Sequence, residues 1–238
     1  MNQIILIPAR LASARLPDKP LADIAGVPMI VRVAERATKS GVGDVWVACD
    51  GEKIKHAVEA AGYKAVITDP DLPSGSDRIF AALGEIDAEK KYDVVINVQG
   101  DMPILDPDII KHAVALLENP DVDIATLAAV VTSEEEKNDP AVVKAIFDEQ
   151  GRATSFSRRP DESQDTHYHH IGIYAYRRAA LEKFIGLPQS ESEKREKLEQ
   201  LRAMDAGMRI DVAVVDTVPL GVDTKETLEK ARQVLASD

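Results

Sequence analysis

At 238 residues the chain is about one and a half times a ~150-residue average domain, so one large domain or two small ones are both allowed. Hydrophobic residues make up 45% and aromatics only 4%, which calls for an aliphatic core and suits buried parallel strands. The 29 Lys and Arg stand against 41 Asp and Glu, a net charge of −12 that argues against a general nucleic-acid or anionic-membrane binder.

The first apolar run, Ile4–Pro8, has no basic segment before it and ends at a proline, so it reads as a buried strand and not a signal peptide. A polar loop runs to Ile24, and Pro28 opens a helical pattern to about Ser40. Val45–Cys49 is a second strand, Glu52–Ala61 a helix with Gly62 at its stop, and Ala65–Thr68 a short strand. After the loop Pro70–Ser76 come a helix from Asp77 to about Ile86 and a buried strand Val94–Gln99. Strands separated by helices of this length mean βαβ units and a parallel sheet. Farther on, Asp123–Val131, Val142–Asp148, Thr154–Ser157 and Ile171–Tyr176 are strand-like with few helices between them, which predicts a mixed or antiparallel extension. A helix at Arg178–Ile185 precedes a longer one from Ser190, where Ser190 and Glu193 fit a capping box, to Gly207. Arg209–Val215 is the last strand and Thr224–Ala236 the last helix. Without a linker, repeat or low-complexity tract, residues 1–238 read as one Rossmann-like α/β domain, a mixed, mostly parallel sheet flanked by helices, with a subregion around 130–210. No stretch approaches ~18 apolar residues, so nothing is expected to insert in a membrane, and the single Cys49 excludes a disulfide framework or a Cys-rich zinc site.

Several common chemistries are missing from the text of the chain. It has no Walker-type phosphate loop, no GxGxxG after the first strand, no HExxH and no GxSxG. Instead, Arg10, Arg15 and Lys19 fall within ten residues after the first strand of an acidic protein, where an open parallel sheet places its ligand crevice. Two readings stay open at this point: three cations wrapping a polyphosphate, or a solvated loop paired with nearby carboxylates. Asp101 follows a buried strand, and Asp223 precedes the last helix. Magnesium takes one or two protein carboxylates and completes its shell with phosphate oxygens and water, which these two aspartates could supply. Asp-Thr before a helix is equally routine N-terminal cap chemistry. His167, His169 and His170 alternate along a strand pattern that places neighbours on opposite faces, a poor metal cluster. Charge pairs such as Glu193 with Lys197 read as a solvated helix face.

Taken in order, PAR-x-x-S-x-R-L-P-x-K-P-L from Pro8, PSGSDR at Pro73–Arg78, NVQGD at Asn97–Asp101, FSR at Phe156–Arg158, HHIGIYAYR at His169–Arg177, KLEQLR at Lys197–Arg202 and GVDT at Gly221–Thr224 resemble the 3-deoxy-manno-octulosonate cytidylyltransferases, or CMP-Kdo synthetases. The opening block is shared with other sugar nucleotidyltransferases; the HxGxY, KLEQLR and GVDT blocks narrow the likeness. The resemblance implies a nucleotide-diphospho-sugar transferase fold and a cytoplasmic, magnesium-dependent homodimer. Its substrates would be CTP and 3-deoxy-D-manno-octulosonate (Kdo), activated for lipopolysaccharide synthesis. It further implies that Ala9, Arg10 and Lys19 lie in the nucleotide loop, Ser74 and Arg78 near base and ribose, and Asp101 and Asp223 on Mg²⁺. Gln99, Arg158, His170, Tyr174, Glu199 and Gln200 would line the sugar site, with Gln99 also near the nucleotide and Arg15 between the two ligands. Arg10, Lys19, Asp101 and Asp223 would carry catalysis. Met102 stands where many members carry Glu, and the segment Arg159–His169 is short and acidic. A cytidylyltransferase for another acidic sugar, amino-substituted Kdo or a sialic acid, is the neighbouring alternative.

Overall fold

The structure is a computed structural model that describes residues 1–13 and 15–236. Its contacts divide the chain into two compact units, Met1–Ile110 with Pro219–Asp238, and Lys111–Val218. Residues 130–210, which the sequence reads as a subregion of one domain, fall within the second unit.

In the first unit, β1 (Gln3–Ala9) is followed by a 3-10 turn at Lys19–Leu21 and a small hairpin of β2 (Asp23–Ile24) and β3 (Val27–Pro28). The hairpin falls where the sequence reads as plain loop, because its turn rests on Ala25 and Gly26 at φ 51° and 78°, backbone that only glycine adopts freely. Then come α1 (Met29–Lys39), β4 (Asp44–Cys49), α2 (Glu52–Ala60), β5 (Lys64–Ile67), α3 (Gly75–Ile86) and β6 (Val94–Asn97). The strand order is β6-β1-β4-β5, every pair parallel. Ile4, Ile5, Leu6 and Ile7 of β1 are fully buried, as a central parallel strand covered on both faces requires. The β1–β4 register sets Ala9 opposite Cys49, so both strands end level and their exit loops start side by side.

In the second unit, α4 (Asp108–Leu116) leads into β7 (Ile124–Val130), α5 (Glu134–Asn138), the antiparallel hairpin β8 (Lys144–Phe147) and β9 (Ala153–Ser157), and the long β10 (Tyr168–Arg177). After α6 (Arg178–Ile185), α7 (Glu191–Glu196) and α8 (Gln200–Asp205), β11 (Ile210–Val215) closes the unit. β7 lies between β11, parallel to it, and β10, antiparallel to it, which is the mixed arrangement expected. The helix forecast over Ser190–Gly207 is two helices, because Lys197 stands at φ 55° and breaks the run. Glu193 is buried, not solvated: it closes the capping box with Ser190, and Arg202 Nη2 donates to its Oε1 at 3.1 Å while lying over the Phe184 ring.

The last helix, α9 (Lys225–Ala236), belongs to the first unit. Its Leu228 and Ala231 form one apolar cluster with Leu16, Ile24, Met29 and Val222. Burying a side chain such as Leu16 is worth about 1.5–3 kcal/mol, and here it ties the loop after β1 and the loop before α9 to the same core.

Candidate active site

The first unit gathers four of the expected residues around one ammonium group. The chain turns at Asp18 in the left-handed region and presents Lys19 at the head of its 3-10 turn. Lys19 Nζ donates to Asp101 Oδ2 at 3.0 Å and to Asp223 Oδ1 at 2.7 Å, and Arg15 Nη2 donates to Asp223 Oδ2 at 3.1 Å. Burial alone would lower the Lys19 pKa; the Asp101 and Asp223 carboxylates outweigh it, and the net shift is upward. The two aspartates come from loops far apart in sequence, joined where Val222 N–H donates to the Asp101 carbonyl at 2.8 Å. Gly100 permits this path: a Cβ there would stand 2.7 Å from the Pro8 carbonyl oxygen. Asp223 is not the cap of α9. Thr224 and Thr227 cap it, Thr227 N–H donating to Thr224 Oγ1 at 3.2 Å, which leaves the Asp223 carboxylate for Lys19 and Arg15.

The other nucleotide-loop residues are placed differently. Ala9 is buried at the end of β1, and Arg10 is exposed beyond it, with no hydrogen bond or ion pair among the described residues. Ser74 caps α3, accepting from Asp77 N–H at 3.2 Å and donating to Asp77 Oδ2 at 2.7 Å. The Arg78 guanidinium is turned into the protein. It donates to Thr68 Oγ1 at 2.6 Å and to the carbonyls of Asp69 and Pro70 at 3.1 and 3.3 Å, so it shapes the loop after β5. Gln99 and Met102 flank the Gly100–Asp101 turn, both half-buried.

The second unit collects the remaining residues on β9, β10 and the break between α7 and α8. Arg158 follows β9 and donates from Nε to the Glu196 carbonyl at 2.9 Å, satisfying an orphan acceptor at the end of α7. His170 lies on β10 with its ring 5.0 Å from Phe156 and 5.5 Å from Tyr174. Burial, helped by the neighbouring His169, lowers the His170 pKa to about 3, so the ring is neutral. Desolvation raises the Tyr174 phenol well above its usual range, reinforced by Tyr176 and by Glu199, which stands close enough to act on it. Gln200 is buried, and its Nε2 has no partner among the described residues.

Thr126 of β7 is a residue that sequence reasoning passed over. The β7–β10 register shifts between Ile171 and Tyr174, and the fully buried Thr126 sits at that irregularity. Its Oγ1 is 2.8 Å from the Ile173 carbonyl and 3.0 Å from His170 Nε2. A hydroxyl has one proton to donate; giving it to the carbonyl assigns the imidazole proton to Nε2 and leaves Nδ1 as an acceptor. The other two histidines point to different partners, His169 Nδ1 to Glu136 Oε1 at 2.7 Å and His167 Nε2 to the Asp161 carbonyl at 3.1 Å.

The donor chemistry around Lys19 suits a divalent cation. Two carboxylate oxygens already converge on one positive centre, and among the described residues no third acidic, His or Cys ligand joins them. Such a pair matches a Mg²⁺ that keeps water and takes phosphate oxygens, not an ion caged by protein alone.

A family model described as cytidylyltransferase matches residues 4–210. A 3-deoxy-manno-octulosonate cytidylyltransferase of Azorhizobium caulinodans is 58% identical over 240 residues, covering 99% of this chain and 96% of that protein. One of the same name from Paramagnetospirillum magneticum is 54% identical, covering 99% and 98%. The solved structure of a CMP:2-keto-3-deoxy-manno-octonic acid synthetase complexed with CTP matches with a TM-score of 0.93 at 39% identity, over 100% of this chain and 99% of that one.

Proposed function

Because this chain belongs to the 3-deoxy-manno-octulosonate cytidylyltransferase family, we propose that it transfers CMP from CTP to Kdo, giving CMP-Kdo and pyrophosphate. The observation that carries the reading is the cluster of Arg15, Lys19, Asp101 and Asp223 at the strand ends of a chain that matches those relatives along nearly its whole length.

The anomeric C2 hydroxyl oxygen of Kdo bonds to the α-phosphorus of CTP in line, its proton passes to solvent water, and the bond from that phosphorus to the oxygen bridging the β-phosphate breaks. Little covalent work falls to the protein, so its contribution is alignment and charge neutralisation. Arg10, exposed and unpaired among the described residues, is ready to meet the phosphates. Lys19 is half-buried between the aspartates and supplies a second cation to the same region. Asp101 and Asp223 would hold Mg²⁺. When bound, that ion would neutralise charge building on the departing pyrophosphate. His170 as a neutral acceptor, with Arg158, Tyr174, Glu199 and Gln200, would receive the sugar acid, Arg158 being the cation of that set.

Three expectations rest on the family resemblance and not on any contact described above: a homodimer, a cytoplasmic location, and a place in lipopolysaccharide synthesis. Among the described residues, no helix is long and apolar enough to cross a membrane. The direct test is pyrophosphate release across a panel of nucleotides and acidic sugars, with and without Mg²⁺. Turnover should need CTP, Kdo and Mg²⁺ together; equal release without sugar, or a preference for a sialic acid, would overturn the assignment.

A further inference from the structure

Asp50 lies outside every motif that carries the family resemblance, yet it touches the loop on which the nucleotide reading depends. The β1–β4 register pairs Ala9 with Cys49, so Arg10 and Asp50 are the first residues beyond two neighbouring parallel strands. Asp50 Oδ2 accepts the Leu11 backbone N–H at 2.9 Å, across 39 residues of sequence. An aspartate just ahead of a helix ordinarily caps it. Here the N-cap of α2 is Gly51, in extended backbone and with no side-chain cap bond, so the carboxylate serves the loop and not its own helix.

The second oxygen of that carboxylate is as informative as the first. Asp50 Oδ1 is buried and has no hydrogen-bond partner among the described residues. A buried carboxylate oxygen left unpaired is costly, so something nearby must offset its charge. The Arg78 guanidinium supplies that opposite charge, standing close enough for the two groups to act on each other. Farther along, Arg15 pairs with Asp223 and Leu16 enters the apolar cluster beneath α9. The loop bearing Arg10 is therefore held by the carboxylate of Asp50 at Leu11, and again at Arg15 and Leu16.

We infer that Asp50 is a positioning residue for nucleotide binding: by gripping the Leu11 amide it sets the path of the loop after β1 and hence where Arg10 stands. The inference rests on the reading that this loop meets the CTP phosphates. It predicts that the anchor matters through the hydrogen bond, which an asparagine at the same position can still accept.

The test is calorimetric titration of CTP, without sugar, into the wild-type chain, Asp50→Ala and Asp50→Asn, with melting curves for each. Asp50→Ala should weaken CTP binding about tenfold or more, the worth of one hydrogen bond to a charged group. Asp50→Asn should recover most of that loss, and in kinetics Asp50→Ala should raise the KM for CTP more than it lowers kcat. If Asp50→Ala does not fold, Asp50→Asn decides alone: retained CTP binding upholds the anchor and lost binding overturns it. Wild-type affinity in folded Asp50→Ala, or equal weakness in both variants, also overturns it. A wild-type chain that binds no CTP would instead sink the nucleotide reading beneath it.

Discussion

In the first compact unit the candidate groups are charged, ride on loops at the ends of parallel strands, and pair with one another: Lys19 with Asp101 and Asp223, Arg15 with Asp223. In the second unit the groups on β10 are neutral and held by strand neighbours: His170 against Thr126 and Phe156, Tyr174 beside it. The difference follows from what each set would have to do. Groups that bind and release a polyphosphate exchange partners most easily when partly solvated. Groups that tell one sugar from another discriminate best when desolvated, because a missing hydrogen bond there leaves a buried polar atom unpaired.

The largest expected effect lies on the charged side. Asp101→Asn and Asp223→Asn should each lower turnover on the order of 10²–10³-fold, as the loss of one electrostatic element at a reaction centre does, with little change in melting temperature. Initial rates over a magnesium titration read this out. Near-normal rates at limiting magnesium would take that aspartate out of the ion's shell.

Lys19→Met sharpens the same side from another direction. It leaves two carboxylates facing one another without their shared cation, so the metal-free protein should lose about 1–2 kcal/mol, less than a fully buried pair because the group is partly solvated. Added Mg²⁺ or Mn²⁺ should restore the melting temperature. A variant as stable as the parent, and indifferent to metal, would show that the two aspartates do not need a cation between them.

On the neutral side, Thr126→Val keeps the shape and removes the hydroxyl that orients His170. Losing that bond should raise the KM for Kdo about 3–10-fold while CTP binding is unchanged, and Thr126→Ser should rescue it. Equal effects on both substrates would mean that Thr126 only holds the strands together.

The last effect is one of pH. Folded His170 stays neutral down to about pH 3, whereas in the unfolded chain it takes up a proton near pH ~6.5. Between those values the unfolded state binds the extra proton, so the stability linked to His170 is complete above about pH 6.5 and declines as pH falls toward 3. Melting temperature from about pH 7 to about pH 5 should therefore fall more steeply in the parent than in His170→Gln. Parallel curves would contradict the buried neutral imidazole.

How much of this the sequence carried differs between the two regions as well. The strands β1, β4, β5 and β6 are continuous aliphatic runs, and such runs have few alternatives to a buried parallel sheet. The helices α4 and α5 carry little signal in the sequence: α4 starts just beyond Pro107, and α5 is a five-residue acidic turn capped by Ser133. The break at Lys197 was hidden because a left-handed lysine looks like any other lysine in a helical pattern. Within the site, Lys19, Asp101 and Asp223 could be named from the family blocks, but their convergence comes from the Val222-to-Asp101 hydrogen bond and the cluster under α9. Asp50 looks like a helix cap and Thr126 like an ordinary β-former in an apolar strand, so neither signals its role in one dimension. The bonds of Arg78 to the loop at Thr68–Pro70 likewise have no signal in the sequence.

The division of labour between the two regions is tested most directly by one paired measurement: CTP titration without sugar, together with Kdo-dependent turnover, on Arg10→Ala and His170→Ala. Arg10→Ala should weaken CTP binding. His170→Ala should bind CTP normally and lose about 0.5–1.5 kcal/mol in its use of Kdo, the net worth of one hydrogen bond from a sugar hydroxyl to a neutral imidazole. A folded His170→Ala protein with normal Kdo kinetics, or an Arg10→Ala protein with undiminished CTP affinity, would contradict the account.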